Sequence, residues 1–160
     1  MFLKLYRALY AGVQDKRQPQ VYPVALSMSD PHSDDPWLSI TWDGDHRCVV
    51  AEWKAFANSR ELRQGGNKIL DAIRSHHATS LVSDNRRLEA MKADDQSWFS
   101  DTWTPMAVDA GLRRIAVVLA PQGMGRFASE EILSHIGNRD FVTRTFETVP
   151  EALDWIAPGR

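Results

Sequence analysis

Residues 113–120 read RRIAVVLA: two arginines, then six residues with no polar side chain. The run is too short to cross a membrane as a helix. A strand with one face in water would alternate apolar and polar residues, and this one does not. It therefore predicts a strand covered on both faces, as in the middle of a parallel sheet. Parallel neighbours need long crossover connections, so the other strands should alternate with helices along the chain.

They do. WLSITWD (37–43) alternates apolar and polar residues, DGD (43–45) is a hairpin signal, and HRCVVAEW (46–53) is β-branched and apolar. Two antiparallel strands are expected there. Ser59 is placed to cap a helix over 60–76, in which Leu62, Gly66, Ile69, Ile73 and His76 or His77 share a face. Gly65 and Gly66 each cost such a helix about 1 kcal/mol against alanine, which close approach to a sheet would offset. TSLVSD (79–84) reads as a short strand, followed by a helix from about Asp94 to Ala110 with Gly111 at its C′ position. Pro105 lies inside that helix and predicts a kink or break. After RRIAVVLA come a short helix, SEEILSHIG (129–137), capped by Ser129, and an edge-like strand, DFVTRTFE (140–147). TVPEALDWI closes the chain as a helix, with Thr148 and Glu151 spaced as a capping box. The order is ββαβαβαβα: an α/β fold with a mixed, mainly parallel sheet of about five strands, crossover helices and one antiparallel edge strand.

Upstream of Trp37 the pattern fades. Residues 14–36 are rich in Gln, Pro, Ser and Asp, and SMSDPHSDDP reads as a linker. The expected organisation is an N-terminal extension and linker over 1–36 and one domain over 37–160. In MFLKLYRALYAG, residues Phe2, Leu5, Tyr6 and Leu9 fall at helical spacing with Lys4 and Arg7 off that face. That predicts a short amphipathic helix rather than a signal peptide, because the cations interrupt the apolar run. A domain beginning at Trp37 does not need residues 1–27, which makes Met28 a candidate second start. The net charge of −2 gives no general pull toward nucleic acid, and no run of 18 apolar residues offers a membrane span. Cys48 is the one cysteine and sits in the apolar run CVVAEW, so it forms no internal disulfide and reads as a small core residue. A reducing, cytoplasmic setting fits.

With the elements laid out, AEWKAFANSRELR, the D-x-R of Asp84 and Arg86, DDQSWFSDTWTP, AGLRRIAVV, SEEI and the closing FETVPEALDWI resemble the small STAS-like, SpoIIAA-like proteins of bacteria. The landmarks fall in order over roughly residues 37–157. The resemblance implies a STAS-type α/β domain: a non-enzymatic signalling or binding module without a cofactor, taking a protein partner or a small molecule, with homodimer formation open to it. In the anti-sigma antagonist branch, a serine in a D-S-S-G-type motif at a helix N-terminus is phosphorylated. Here the corresponding stretch reads KADDQSW. Asp94 and Asp95 stand where the serine would be, Ser97 is the one nearby hydroxyl, and the glycine is missing.

Several residues are candidates for a site. Asp84, Arg86 and Arg87 follow a strand at its carboxyl end, where open α/β sheets usually bind ligands. An arginine there either holds a carboxylate or phosphate, or pairs with Asp84 to order the loop. Asp94 or Asp95 is placed to accept hydrogen bonds from the first helical turn. Trp98 and Trp103, five apart on one helix, should not both face inward, so one is expected to be exposed as a partner or dimer face. GMGRFA (123–128) reads as G-x-G-x-x-A, with Gly123, Gly125, Ser129 and the later Glu147 as elements of a dinucleotide fingerprint. Pro121 and Gln122 lengthen that turn, and Ser129, the best cap, follows the motif; a flexible loop needing small residues is the competing reading. His46, His76, His77 and His135 lack the spacing of metal ligands, so no metal is expected. No nucleophile has an assignable base, so no catalytic residue is named. Three functions follow: a STAS-like binding module that does no chemistry, a nucleotide- or phosphate-binding enzyme using the 121–129 loop, and a carrier of a lipophilic ligand in a cavity lined by tryptophans and Phe99 beside the kinked helix.

Overall fold

The computed structural model describes residues 29–122, Ser129, Ile132 and residues 141–157. The chain runs β1 (Ser29–Asp34), β2 (Leu38–Asp43), β3 (Cys48–Trp53), α1 (Ser59–His76), β4 (Ser80–Asp84) and α2 (Ala93–Trp98). It continues through a π-helical turn (Phe99–Trp103), α3 (Thr104–Asp109), β5 (Arg114–Val118), β6 (Val142–Phe146) and α4 (Val149–Ile156). The strands form one sheet in the order β1-β2-β3-β4-β5-β6. β1 to β3 are joined antiparallel, and β3 to β6 run parallel. The class is α/β with a mixed sheet, as expected, but the sheet has six strands rather than five and two antiparallel links rather than one.

The sixth strand is β1, in the segment that reads as linker. SDPHSD carries no large apolar residue, so hydrophobic pattern cannot reveal it. Its backbone pairs with β2, with a register shift between Pro31 and Ser33, beside a residue that has no N–H to give. Ion pairs hold its end: Lys54 Nζ lies 2.5 Å from Asp34 and Lys68 Nζ 2.6 Å from Asp35. These lysines hold both carboxyls below the usual aspartate range.

The sheet sorts its side chains strictly by parity. Val49, Ala51, Trp53, Leu81, Ile115 and Val117 join the core with Leu62, Ile69 and Ile73 of α1 and with Trp103. Cys48, Val82, Ala116 and Val118 face the other way, onto Ala152 and Ile156 of α4. Both faces of β5 are thus covered, which is why RRIAVVLA does not alternate. The β3–β4 and β4–β5 crossovers step in one direction across the sheet, so right-handed connections put α1, α2 and α3 on one face and leave the other to α4.

Local signals account for most of the boundaries. The β2–β3 hairpin turns over four residues, 44–47, with Arg47 rather than Gly44 in the left-handed region, at φ 53°. The cap of α1 is Asn58, not Ser59: its Oδ1 accepts from Glu61 N–H at 3.1 Å, and Glu61 accepts from Asn58 N–H at 2.9 Å. Gly65 and Gly66 are both buried, as their cost predicts. A Cβ on Gly65 would lie 2.6 Å from Trp53 and 2.8 Å from Leu38, so the glycine sets how closely α1 approaches β2 and β3. The break expected at Pro105 is the π-helical turn just before it, where the Thr104 N–H reaches back to the Phe99 carbonyl. Proline offers no N–H for the regular α ladder, and the widened turn absorbs the missing bond. Gly111, at φ 110°, ends α3 as the C′ residue, with its N–H on the Val108 carbonyl at 3.0 Å. Thr148 caps α4, accepting from Glu151 N–H at 3.4 Å. The GMGRFA loop lies outside the described residues, as does the 129–137 helix apart from Ser129 and Ile132, both helical.

Candidate functional site

Where β3, β4 and β5 end, the sheet and the π-helical turn part to leave a cavity of about 80 Å³. Trp53 and Val117 form its floor, Phe99 and Trp103 one wall, and Leu88 and Met91 another. The polar groups on it are few: Ser83, Asn85, Thr104 and Ser129. An apolar chamber with a small number of fixed polar groups is the usual form of a small-molecule site. It owes nothing to a crevice between diverging strands, because the parallel strands run in consecutive order and have no switch point. The chamber exists because the 85–104 segment arches over the strand ends.

That arch is anchored by hydrogen bonds. The Asn85 N–H bonds the Val118 carbonyl at 2.9 Å, which ties the start of the loop to β5. The Asn85 side chain accepts from Ser83 Oγ at 2.7 Å and donates to Ser129 Oγ at 3.0 Å. Thr104 Oγ donates to the Phe99 carbonyl at 2.8 Å across the π-helical turn. Trp103 Nε1 donates to the Gly66 carbonyl at 2.6 Å. Sequence reasoning did not single out Asn85, Ser83 or Trp53. The one signal for Asn85 was its position: a turn-forming amide immediately after the last residue of a buried strand.

The charged candidates beside the cavity divide. Asp84 is buried, and Arg86 meets it with two parallel bonds, Nε at 2.9 Å and Nη2 at 2.7 Å. The Arg86 N–H adds a third at 3.1 Å. The ion pair, one of the two readings for these residues, is present, and the carboxylate raises the Arg86 guanidinium further above its usual range. Arg87 is exposed and lies 3.9 Å from Glu52. Neither arginine lines the cavity.

Asp94 and Asp95 also part company, and neither caps a helix. The N-cap of α2 is Lys92, with no side-chain bond to the first turn. Asp94 is exposed. Asp95 is buried against α1, where it accepts from Ser59 Oγ at 2.6 Å and from Arg63 Nε at 3.3 Å. Ser59 serves this carboxylate, which is why the cap falls to Asn58. Trp98 and Trp103 depart from their expected opposition as well. In a regular helix five residues leave side chains about 140° apart; the π-helical turn between these two narrows that angle. Both rings reach Gly66, within 2.9 Å and 3.1 Å of where its Cβ would stand. Trp103 is buried and Trp98 half-buried, with Arg63 over its ring at 5.7 Å.

Cys48 is fully buried, and burial pushes its thiol up to about 12. Of the fingerprint residues, Gly123 and Gly125 lie outside the described residues, Ser129 is buried on Asn85, and Glu147 is exposed. His46 bonds Asp43 at 2.9 Å, and His76 stacks on Trp42. Among the described residues, no three His, Cys, Asp or Glu side chains are grouped to hold a metal ion. No helix among them is long and apolar enough to cross a membrane. No protein-family model matches the chain, and no curated protein matches it.

Proposed function

We propose that this chain is a STAS-like module that binds a small, mainly apolar ligand in the cavity under the π-helical turn and performs no chemistry on it. The observation that carries this reading is the wall of Phe99 and Trp103 facing Trp53 and Val117 at the strand ends, with Asn85 and its two serines as a polar fixture. It joins two of the functions drawn from the sequence, the binding module and the lipophilic carrier. The cavity is small, so it takes a compact ligand or the end of a longer one; an engineered pocket of about 150 Å³ holds benzene. A catalytic role is disfavoured by the engagement of the polar side chains: Asp84 by Arg86, and Asp95 by Ser59 and Arg63. Native mass spectrometry of freshly purified protein should show a copurified small molecule, and Trp103→Ala should lose it. A bare chain that also fails to bind any of a panel of short fatty and aromatic acids, followed by tryptophan fluorescence, would remove the reading. So would a hydrolytic rate on ester or phosphoester substrates that vanishes in Asp84→Asn.

A further inference from the structure

A second cleft opens at the opposite edge of the sheet, where β3, β4 and β5 begin, and it encloses about 500 Å³. Three arginines and three histidines line it: Arg47, Arg113, Arg114, His46, His76 and His77. Among the described residues no carboxylate does, although the chain as a whole carries a net charge of −2. Asp43, the nearest acid to His46, is buried and spends its oxygens on His46, one on the backbone N–H and one on Nδ1, both at 2.9 Å. Asp45 on the same hairpin is exposed and outside the lining.

The basic residues come from separate elements, and several of them are held in place. Arg47 closes the β2–β3 turn, His76 and His77 end α1, and Arg113 and Arg114 open β5. Arg113 Nη1 donates to the Val108 and Leu112 carbonyls at 2.9 Å and 2.8 Å, which fixes its guanidinium. The Arg114 guanidinium lies 5.7 Å over the Trp155 ring, and His76 stacks on Trp42 at 4.6 Å with the planes 3° apart. Basic residues at helix C-termini offset the helix dipole, which would explain the histidines by themselves. It explains neither Arg47 in a hairpin nor Arg114 at the start of a strand.

The backbone adds a separate observation. Among the described residues only two that are not glycine have positive φ: Arg47 at 53° and His77 at 49°. Both line this cleft. Glycine is the low-strain residue in that conformation, and His77 sits at the helix end where glycine is commonest. Basic side chains thus stand at the two positions where the backbone favours having none. Strained backbone gathers where a site needs it.

We propose that this cleft binds a small multivalent anion of the phosphate class, one carrying at least two adjacent phosphoryl groups. Guanidinium forks match phosphoryl oxygens, and a head already fixed, as in Arg113, loses little freedom when the anion arrives. Calorimetric titration and thermal melts of the full chain with tripolyphosphate test it, at ionic strength held constant with chloride. The variants are Arg47→Gly and His77→Gly, which remove a basic side chain while relieving the backbone, so both should fold as well as the parent or better. Saturable binding by the parent is expected, weakened about tenfold or more in Arg47→Gly, together with a melting shift that this variant loses. The proposal is overturned by the absence of saturable binding, by equal affinity in both variants and the parent, or by the same melting shift with chloride alone.

Discussion

Trp103 gives its indole N–H to the carbonyl of Gly66 at 2.6 Å, across 37 residues of sequence, and the same glycine leaves room for the ring. An added Cβ at Gly66 would stand 2.9 Å from Trp98, 3.1 Å from Phe99 and 3.1 Å from Trp103. Alanine gains about 1 kcal/mol in helix propensity, while overpacking costs about 1–3 kcal/mol. Three rings cannot all yield, so Gly66→Ala should be net destabilising by about 1 kcal/mol. Gly65→Ala should lose more, about 2 kcal/mol, because its Cβ would meet Trp53, Leu38 and Trp37, all within 2.9 Å. Urea midpoints at unchanged slope measure both. A variant as stable as the parent would show that the rings move aside freely.

The neighbouring acids Asp94 and Asp95 should behave as unlike residues. Asp95 is buried and satisfies Ser59 and Arg63; Asp94 is exposed. Asp95→Ala strands a part-buried hydroxyl, while Arg63, 46% exposed, turns to water. The expected loss is about 1–3 kcal/mol, against about 0.5 kcal/mol or less for Asp94→Ala. Equal losses in chemical denaturation would mean that Asp95 does not tie α2 to α1.

How much of this was legible in the sequence depends on what holds each part. The parallel core could be read because burial on both faces leaves an unbroken apolar run, as in β5. Gly65 and Gly66 could be read as a close approach because two glycines in mid-helix demand compensation. Gly111 and Thr148 could be read because caps are local. β1 could not: backbone pairing and two lysines hold it, and none of these leaves a hydrophobic period. The site was half legible. Trp103, Phe99 and the break at Pro105 pointed to a cavity beside that helix, but its polar fixture joins Ser83, Asn85 and Ser129 across 44 residues of sequence. The amino-edge cleft was not legible at all, since its cations come from a hairpin, a helix end and a strand start that meet only when the sheet forms.

Cys48 offers a check on the face beneath α4. It is the one cysteine, so any thiol signal belongs to it. Burial raises its thiol from 9.0 to about 12, with the carboxylate of Asp43 adding to the effect. The folded state therefore holds the proton more tightly than the unfolded chain. The stability linked to it is whole below pH 9.0 and is lost as pH rises toward 12. At mildly alkaline pH, a disulfide reagent should modify the native protein about a hundredfold or more slowly than the urea-unfolded chain, because reaction waits for opening. Equal rates in the two states would place the thiol at the surface and refute the packing of α4 over it.

Two truncations locate where the fold begins. A chain starting at Met28 keeps β1; one starting at Trp37 loses it, and with it Asp34 and Asp35, the partners of Lys54 and Lys68. The shorter chain also turns β2 into an edge strand, with Leu38 and Ile40, now fully buried, next to an unpaired backbone. The Met28 chain should melt cooperatively within a few degrees of the parent. The Trp37 chain should melt lower by about 4 °C or more and associate at lower concentration. Both lost carboxyls titrate below their ordinary value of 3.8 in the folded chain. Their share of the difference is therefore present above that pH and fades as pH falls through the folded values, so the two melting points should draw together in acid. Chains that melt alike at neutral pH would show that β1 adds nothing to the sheet. A Met28 chain that melts lower than the parent by about 4 °C or more would show that residues 1–27 belong to the fold.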